Sequence, residues 1–168
     1  NGTVELVQDA RILGRKPFTC RIIINAALIE QPVRWRTFIN EALHSFSSGY
    51  NSADYQEWRG WEEGVVEQLQ RLLRPLVLDR FGVVVDEDVF AQVESEHAFN
   101  PFAAALERLR TALGAEDPRI FYVELLGTPI KDRPGFIFGR GNKLPAPQRI
   151  QFVKVFSAAN AALKERSR

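Results

Sequence analysis

Apolar positions recur at helical spacing in four places along the chain. Behind Pro32, a residue suited to a first helical turn, come Trp35, Phe38, Ile39, Ala42, Leu43 and Phe46. The polar residues 47–54 break this pattern, and Asp54 with Glu57 three residues later predicts the cap of a second helix. That helix carries Trp58, Trp61, Val65, Leu69, Leu72, Leu73 and Leu76 on one stripe, and Pro75 is expected to kink or end it. Gly60 and Gly64 lie four apart on it, which either admits a neighbouring backbone or marks two tolerated glycines. Asn100 and Pro101 predict a third start, with an asparagine cap followed by proline in the first turn. Phe102, Leu106, Leu109 and Leu113 then form a face that Gly114 stops. Phe152, Val153, Phe156, Ala159 and Leu163 mark the last helix.

The intervening segments read as extended. TVELVQ and the β-branched TCRIIINAALI, separated by a turn at 14–17, predict an N-terminal arm or short hairpin over residues 1–30. DRFGVVVDEDVFAQVE (79–94) predicts one or two strands around an acidic turn. PRIFYVELLGTPIKDRPGFIFGRGNKLPAP, from Pro118, has strand-like and loop-like character. A connection that long inside a compact domain is usually functional or disordered. The inventory predicts a mainly α fold, an antiparallel four-helix bundle over 31–168 with a small β region and an extended N-terminal arm. The alternative is an α/β fold in which RIIINA, GVVV and IFYVELL build a central sheet.

With 168 residues, 45% of them hydrophobic, the chain suits one domain with a continuous core. Lys and Arg number 22 against 21 Asp and Glu, so no overall field draws the protein to a polyanion, and any nucleic acid must be held by a local cluster. The single Cys20 excludes a disulfide framework and a Cys-rich zinc site, and His44 and His97 alone build no His-based metal site. No apolar run approaches the roughly 20 residues of a membrane span, and the beginning lacks a signal-peptide pattern, so a soluble, unsecreted protein is expected. The absence of Met suggests a trimmed start, and the triplet Asn1-Gly2-Thr3 matches a glycosylation acceptor by form alone.

Catalytic patterns are weak. Asp86, Glu87 and Asp88 form the densest carboxylate cluster, but neighbouring acids on a strand point apart, and a magnesium site would need a partner such as Glu124. A metal-dependent α/β nuclease using Asp86, Asp88 and Glu124 is therefore a rival reading, and a solvated turn the plainer one. Glu124 with Lys131 is too loosely spaced for a nuclease motif. Neither histidine sits in a nucleophile context, and GRGN (139–142) has the spacing of neither a phosphate loop nor a dinucleotide fingerprint. No enzyme, cofactor or metal is indicated.

One segment is locally basic. Arg119, Lys131, Arg133, Arg140, Lys143 and Arg149 stand against Glu124 and Asp132, with Phe121, Tyr122, Phe136 and Phe138 as candidate stacking faces for single-stranded RNA. An ordinary solvated loop is the competing interpretation.

This order of features resembles the coat proteins of rod-shaped plant viruses, the tobacco mosaic virus group of the virgavirus family. Arg80 and Phe81 match the family's Arg-Phe strand segment between the second and third helices. FNPFAAALERLRTALGAEDPRI resembles its Asp-Pro-Leu helix, Leu-Gly stop and RNA-contacting arginines. QRIQFVKVFSAANAAL resembles its last helix. On that match Asp117 takes the place of a structural aspartate, Arg119 that of an RNA-contacting arginine and Arg149 the entry of the last helix; Arg133, Arg140 and Lys143, from the basic segment, complete the candidate RNA-binding set. The resemblance implies a non-catalytic capsid subunit that polymerises into a helical rod around single-stranded RNA, found in the virion and host cytoplasm. The chain departs from the family at Gln151 and Phe152, where paired aspartates stand, and at Phe156, where an arginine would answer Asp117. A non-viral interaction module is the remaining alternative.

Overall fold

The computed structural model describes residues 2–9, 11, 13–19 and 21–164. Cys20 and Asn1 of the glycosylation triplet lie outside the described residues. The fold is mainly helical with a small sheet: among the described residues it holds three strands and seven α-helices, with two short 3-10 turns. The chain divides into two compact units, Asn1–Phe46 with Leu69–His97, and Ser47–Gln68 with Ala98–Arg168.

In the first unit, β1 (Thr3–Val7), β2 (Gly14–Arg15) and β3 (Arg21–Asn25) form a sheet in the order β1-β3-β2. Central β3 is the β-branched segment, parallel to β1 and antiparallel to β2. The first 30 residues thus make a three-stranded sheet, where the sequence allowed a two-stranded hairpin. Asn25 ends β3 by accepting the Ala27 N–H on its side chain at 2.9 Å, which starts the 3-10 turn Ala26–Leu28. Next come α1 (Val33–Phe46) and the last part of α2 (Ser52–Arg80). Leu6, Ile24, Ile29, Arg34, Trp35 and Phe38 line an apolar cavity of about 230 Å³. Glu94 on α3 (Glu87–Ser95) draws in Arg36 of α1 at 3.6 Å, Arg71 of α2 at 3.8 Å and Arg74 of α2. Arg74 also lies 4.0 Å over the Phe90 ring, so a desolvated guanidinium ties α3 to α2.

The second unit contains the first part of α2, α4 (Asn100–Ala112), α5 (Pro118–Gly127), the 3-10 turn Ile130–Asp132, α6 (Arg133–Gly141) and α7 (Ala146–Lys164). α4 and α7 pack along each other. Gly60 and Gly64 are close-approach positions: a Cβ on Gly60 would enter the α7 backbone at Leu163, and one on Gly64 would lie 2.7 Å from the Leu106 side chain of α4. The spacing noted in the sequence is therefore a packing device, reinforced by Trp61 Nε1, which donates to Asn160 Oδ1 at 3.3 Å.

Several expected details change. The α2 cap is Asn51, whose Oδ1 accepts the Asp54 N–H at 3.0 Å. The helix runs through Pro75 to Arg80, and its backbone departs from helical geometry at Trp58 instead (φ −117°, ψ 28°). Phe99, not Asn100, is the N-cap of α4, without a side-chain cap bond, although Pro101 does occupy the first turn. Gly114 closes α4 with φ +65°, as its position suggested. Residues 79–94 are not strands. Gly82 (φ +63°) terminates α2, and the Asp86 side chain caps α3 by accepting the Asp88 N–H at 3.0 Å. Arg80 thus closes a helix and Phe81 stacks on Trp35 at 6.1 Å, so the Arg-Phe pair expected on a strand is not on one.

Candidate nucleic-acid interface

The long connection expected after α4 is mostly helix. Asp117 caps α5, its Oδ1 accepting the Arg119 N–H at 2.8 Å and the Ile120 N–H at 3.3 Å, while Pro118 occupies the first turn. Arg119 therefore stands at a helix N-terminus, although in the sequence it follows the end of α4 so closely that a place just beyond a C-terminus is the natural expectation. Its side chain is half exposed and 3.9 Å from Asp117 Oδ1. The helix dipole there favours an anion over a cation, and Asp117 supplies the compensating charge.

Arg133, expected to contact RNA, is withdrawn from the surface. Its side chain is fully buried, as is that of Glu62. Nη1 donates to Glu62 Oε2 at 2.7 Å and to the Trp61 carbonyl at 3.2 Å, Nη2 to Ser47 Oγ at 2.6 Å, and Nε to the Thr128 carbonyl at 3.1 Å. Ser47 Oγ in turn donates to Glu62 Oε2 at 2.7 Å. Burial pulls the Arg133 pKa below its ordinary value, and the Glu62 carboxylate beside it opposes that shift. This guanidinium fastens the start of α6 to α2 and, fully enclosed, presents nothing to a phosphate.

The remaining candidates separate by partner. Arg140 forms an ion pair with Glu124 and lies 5.8 Å over the Phe136 ring. Lys143, at the α6–α7 connection, and Arg149, in the first turns of α7, are exposed and have no ion-pair partner among the described residues. Lys131 and Lys154 are exposed as well. From Arg133 to Lys164 the chain contains no Asp or Glu, so α6 and α7 contribute no acid of their own in a protein whose net charge is only +1, and the surface carboxylate paired with them among the described residues is Glu124, at Arg140. Of the four expected stacking aromatics, Phe121 and Tyr122 are buried. Tyr122 donates to Glu107 Oε2 at 3.0 Å, and burial first, then Glu107, raise its pKa far above the ordinary phenol value. Phe136 is partly covered, whereas Phe138 is exposed at 39% and tilts against Phe156 of α7 with centroids 5.2 Å apart.

The carboxylates suggested for a nuclease serve other ends. Asp86 caps α3, Glu87 lies 3.1 Å from Arg74, and Glu124 pairs with Arg140. Among the described residues no three His, Cys, Asp or Glu come together as a metal-binding group, and no helix is long and apolar enough to cross a membrane. His44 is buried within α1.

Comparison with protein-family models, curated proteins and solved structures gave no match.

The sequence did not reveal the Ser47–Glu62–Arg133 network. Its only signal was an acid beside Trp61 on a helix whose following positions, Val65, Val66 and Leu69, are all apolar.

Proposed function

We propose that the chain is a non-catalytic coat subunit that binds single-stranded RNA along the α6–α7 edge and polymerises around it. The observation that carries this reading is the acid-free segment from Arg133 to Lys164, in which Lys143, Arg149 and the ring of Phe138 are exposed. Cations without competing acids hold phosphate, and an exposed ring accepts an unstacked base. A subunit of a helical capsid touches only a few nucleotides, so a few placed cations suffice where net charge is near zero. In this reading α1, α2, α4 and α7 are counterparts of the four long helices of the rod-shaped plant virus coat proteins, and α3, α5 and α6 are additions. Arg119 is a further phosphate contact at the start of α5, while Arg133 has a structural role.

The test joins binding to assembly. Negative-stain microscopy of the protein with single-stranded RNA is expected to show rods or stacked discs. Replacing both Lys143 and Arg149 by Ala should lower the slope of log affinity against log salt by about 1.4, about 0.7 per lost single-strand phosphate contact. A monomer that binds no RNA at low salt would overturn the proposal.

A further inference from the structure

Two solvent-facing helix surfaces of the second unit carry the same apolar pattern with opposite charge. On α5 the exposed residues Ile120, Val123, Glu124 and Gly127 fall at i, i+3, i+4 and i+7. On α7 the exposed residues Ile150, Val153, Lys154 and Ser157 repeat those intervals. Positions so spaced share one helix face. The isoleucines are 60% and 63% exposed and the valines 53% and 42%, although the opposite faces of both helices are buried through Phe121, Leu125, Phe152 and Ala159. β-branched apolar residues left outward in adjacent pairs on otherwise well-packed helices form a candidate contact surface.

We infer that α5 of one copy packs antiparallel on α7 of a second copy through these two faces. Run antiparallel, the patterns complement each other in size and charge. Ile120 meets Ser157, Ile150 meets Gly127, and the central Val123 and Glu124 meet Val153 and Lys154. The small residues let the helices approach, and each isoleucine fills the space a neighbour's small side chain leaves. Glu124, which Arg140 holds from one side within its own chain, faces Lys154, which has no ion-pair partner among the described residues. α7 carries no acid at all, so Glu124 meets only attraction there. Pairing α5 with α5 or α7 with α7 would set Glu124 against Glu124 or Lys154 against Lys154 and gain no attraction, so the charges favour the head-to-tail contact. Every copy bears one face of each kind, so the contact propagates into a ring or a filament. The inference rests on the self-association in the proposed function and names the surface responsible.

Sedimentation velocity without RNA tests it. Wild-type protein should show concentration-dependent oligomers larger than a dimer. Ile150→Asp should weaken association on the order of 100-fold, because a charge replaces the apolar contact. Glu124→Lys and Lys154→Glu should each leave monomers, with circular dichroism unchanged. An equimolar mixture of these two variants should associate again, since each acidic α7 face then meets a basic α5 face. Arg140→Gln frees Glu124 from its partner within the chain and should preserve association. A wild type that stays monomeric, single charge reversals without effect, or a mixture that fails to reassociate overturns the contact. The two proposals fail separately. RNA-dependent rods that form equally well with Ile150→Asp put the contact elsewhere and leave the coat function standing, whereas charge-swap-dependent oligomers that ignore RNA keep the contact and remove that function.

Discussion

Replacing Arg133 by Met asks how much of the fold depends on one buried charge. The side chain is fully buried and makes four hydrogen bonds, to Glu62, Ser47 and the carbonyls of Trp61 and Thr128. Met fills much of the space but leaves the Glu62 carboxylate in the interior without its guanidinium, the Ser47 hydroxyl still donating to it at 2.7 Å. Stranding one partner of a buried pair costs about 3–5 kcal/mol, a range that includes the loss of the neighbouring hydrogen bonds, so the expected loss is roughly 4–5 kcal/mol, at its upper end. Against a typical total stability of about 5–15 kcal/mol, that is a large fraction of the whole. In urea, with a slope near 2 kcal/mol/M, the midpoint should fall by about 2 M. The double variant Glu62→Gln with Arg133→Met removes both charges, and the new amide can still bond Ser47. It should recover to within about 2 kcal/mol of wild type, because well-packed neutral substitutes for buried pairs are often nearly neutral. Urea unfolding followed by circular dichroism gives all four corners of the cycle. A single variant within about 1 kcal/mol of wild type, or a double variant no better than the single, would mean the charge is solvated and the network is not what fixes α6.

The packing glycine predicts an outcome opposite to helix propensity. Gly60→Ala should lower the melting temperature despite a propensity gain of about 1 kcal/mol, because the new methyl meets the α7 backbone at Leu163 and overpacking costs about 1–3 kcal/mol. Gly135→Ala in α6, with nothing within 4 Å of the added carbon, should raise it. Asp117→Ala should cost about 1 kcal/mol and speed amide exchange at Arg119 and Ile120, the two N–H groups the cap satisfies. Glu107 carries a pH signature. The Arg110 guanidinium, then the Tyr122 hydroxyl, hold its pKa below the ordinary 4.5. Its stabilisation is therefore fully present above about pH 4.5 and is lost as pH falls through the lowered folded value. Since the Glu107 side chain is 42% exposed, solvent screening keeps the effect small, and Glu107→Gln should make the acid limb of the stability–pH curve modestly shallower.

The four helices visible in the sequence, α1, α2, α4 and α7, are those whose apolar residues keep one face for three or more turns. α5 escaped because aromatic and β-branched side chains in IFYVEL suggest a strand when propensity is weighed before caps. Yet Asp117-Pro118 is the same kind of start signal as Asn100-Pro101, and Phe121, Tyr122, Leu125 and Leu126 repeat at helical intervals. In α3 the acids that resembled a turn are a cap and a first turn, the place where the helix dipole favours them. α6 had no such local signal. RPGFIFGRG holds three glycines and a proline in nine residues, a composition that costs several kcal/mol as an isolated helix. Its helicity depends on tertiary contacts, with Arg133 held by Glu62 at one end and Ile137 buried in the middle. The same dependence misled the count of basic residues: charge tallied along a sequence treats every arginine as surface. An arginine at the start of a weak helix, in a chain that places glutamates beside its most buried tryptophan, is as readily an internal clamp. What survived that subtraction, the exposed cations Lys143 and Arg149 on a segment with no acid of its own, is a smaller basic surface than the sequence offered and a more specific one, because neither is in an ion pair among the described residues.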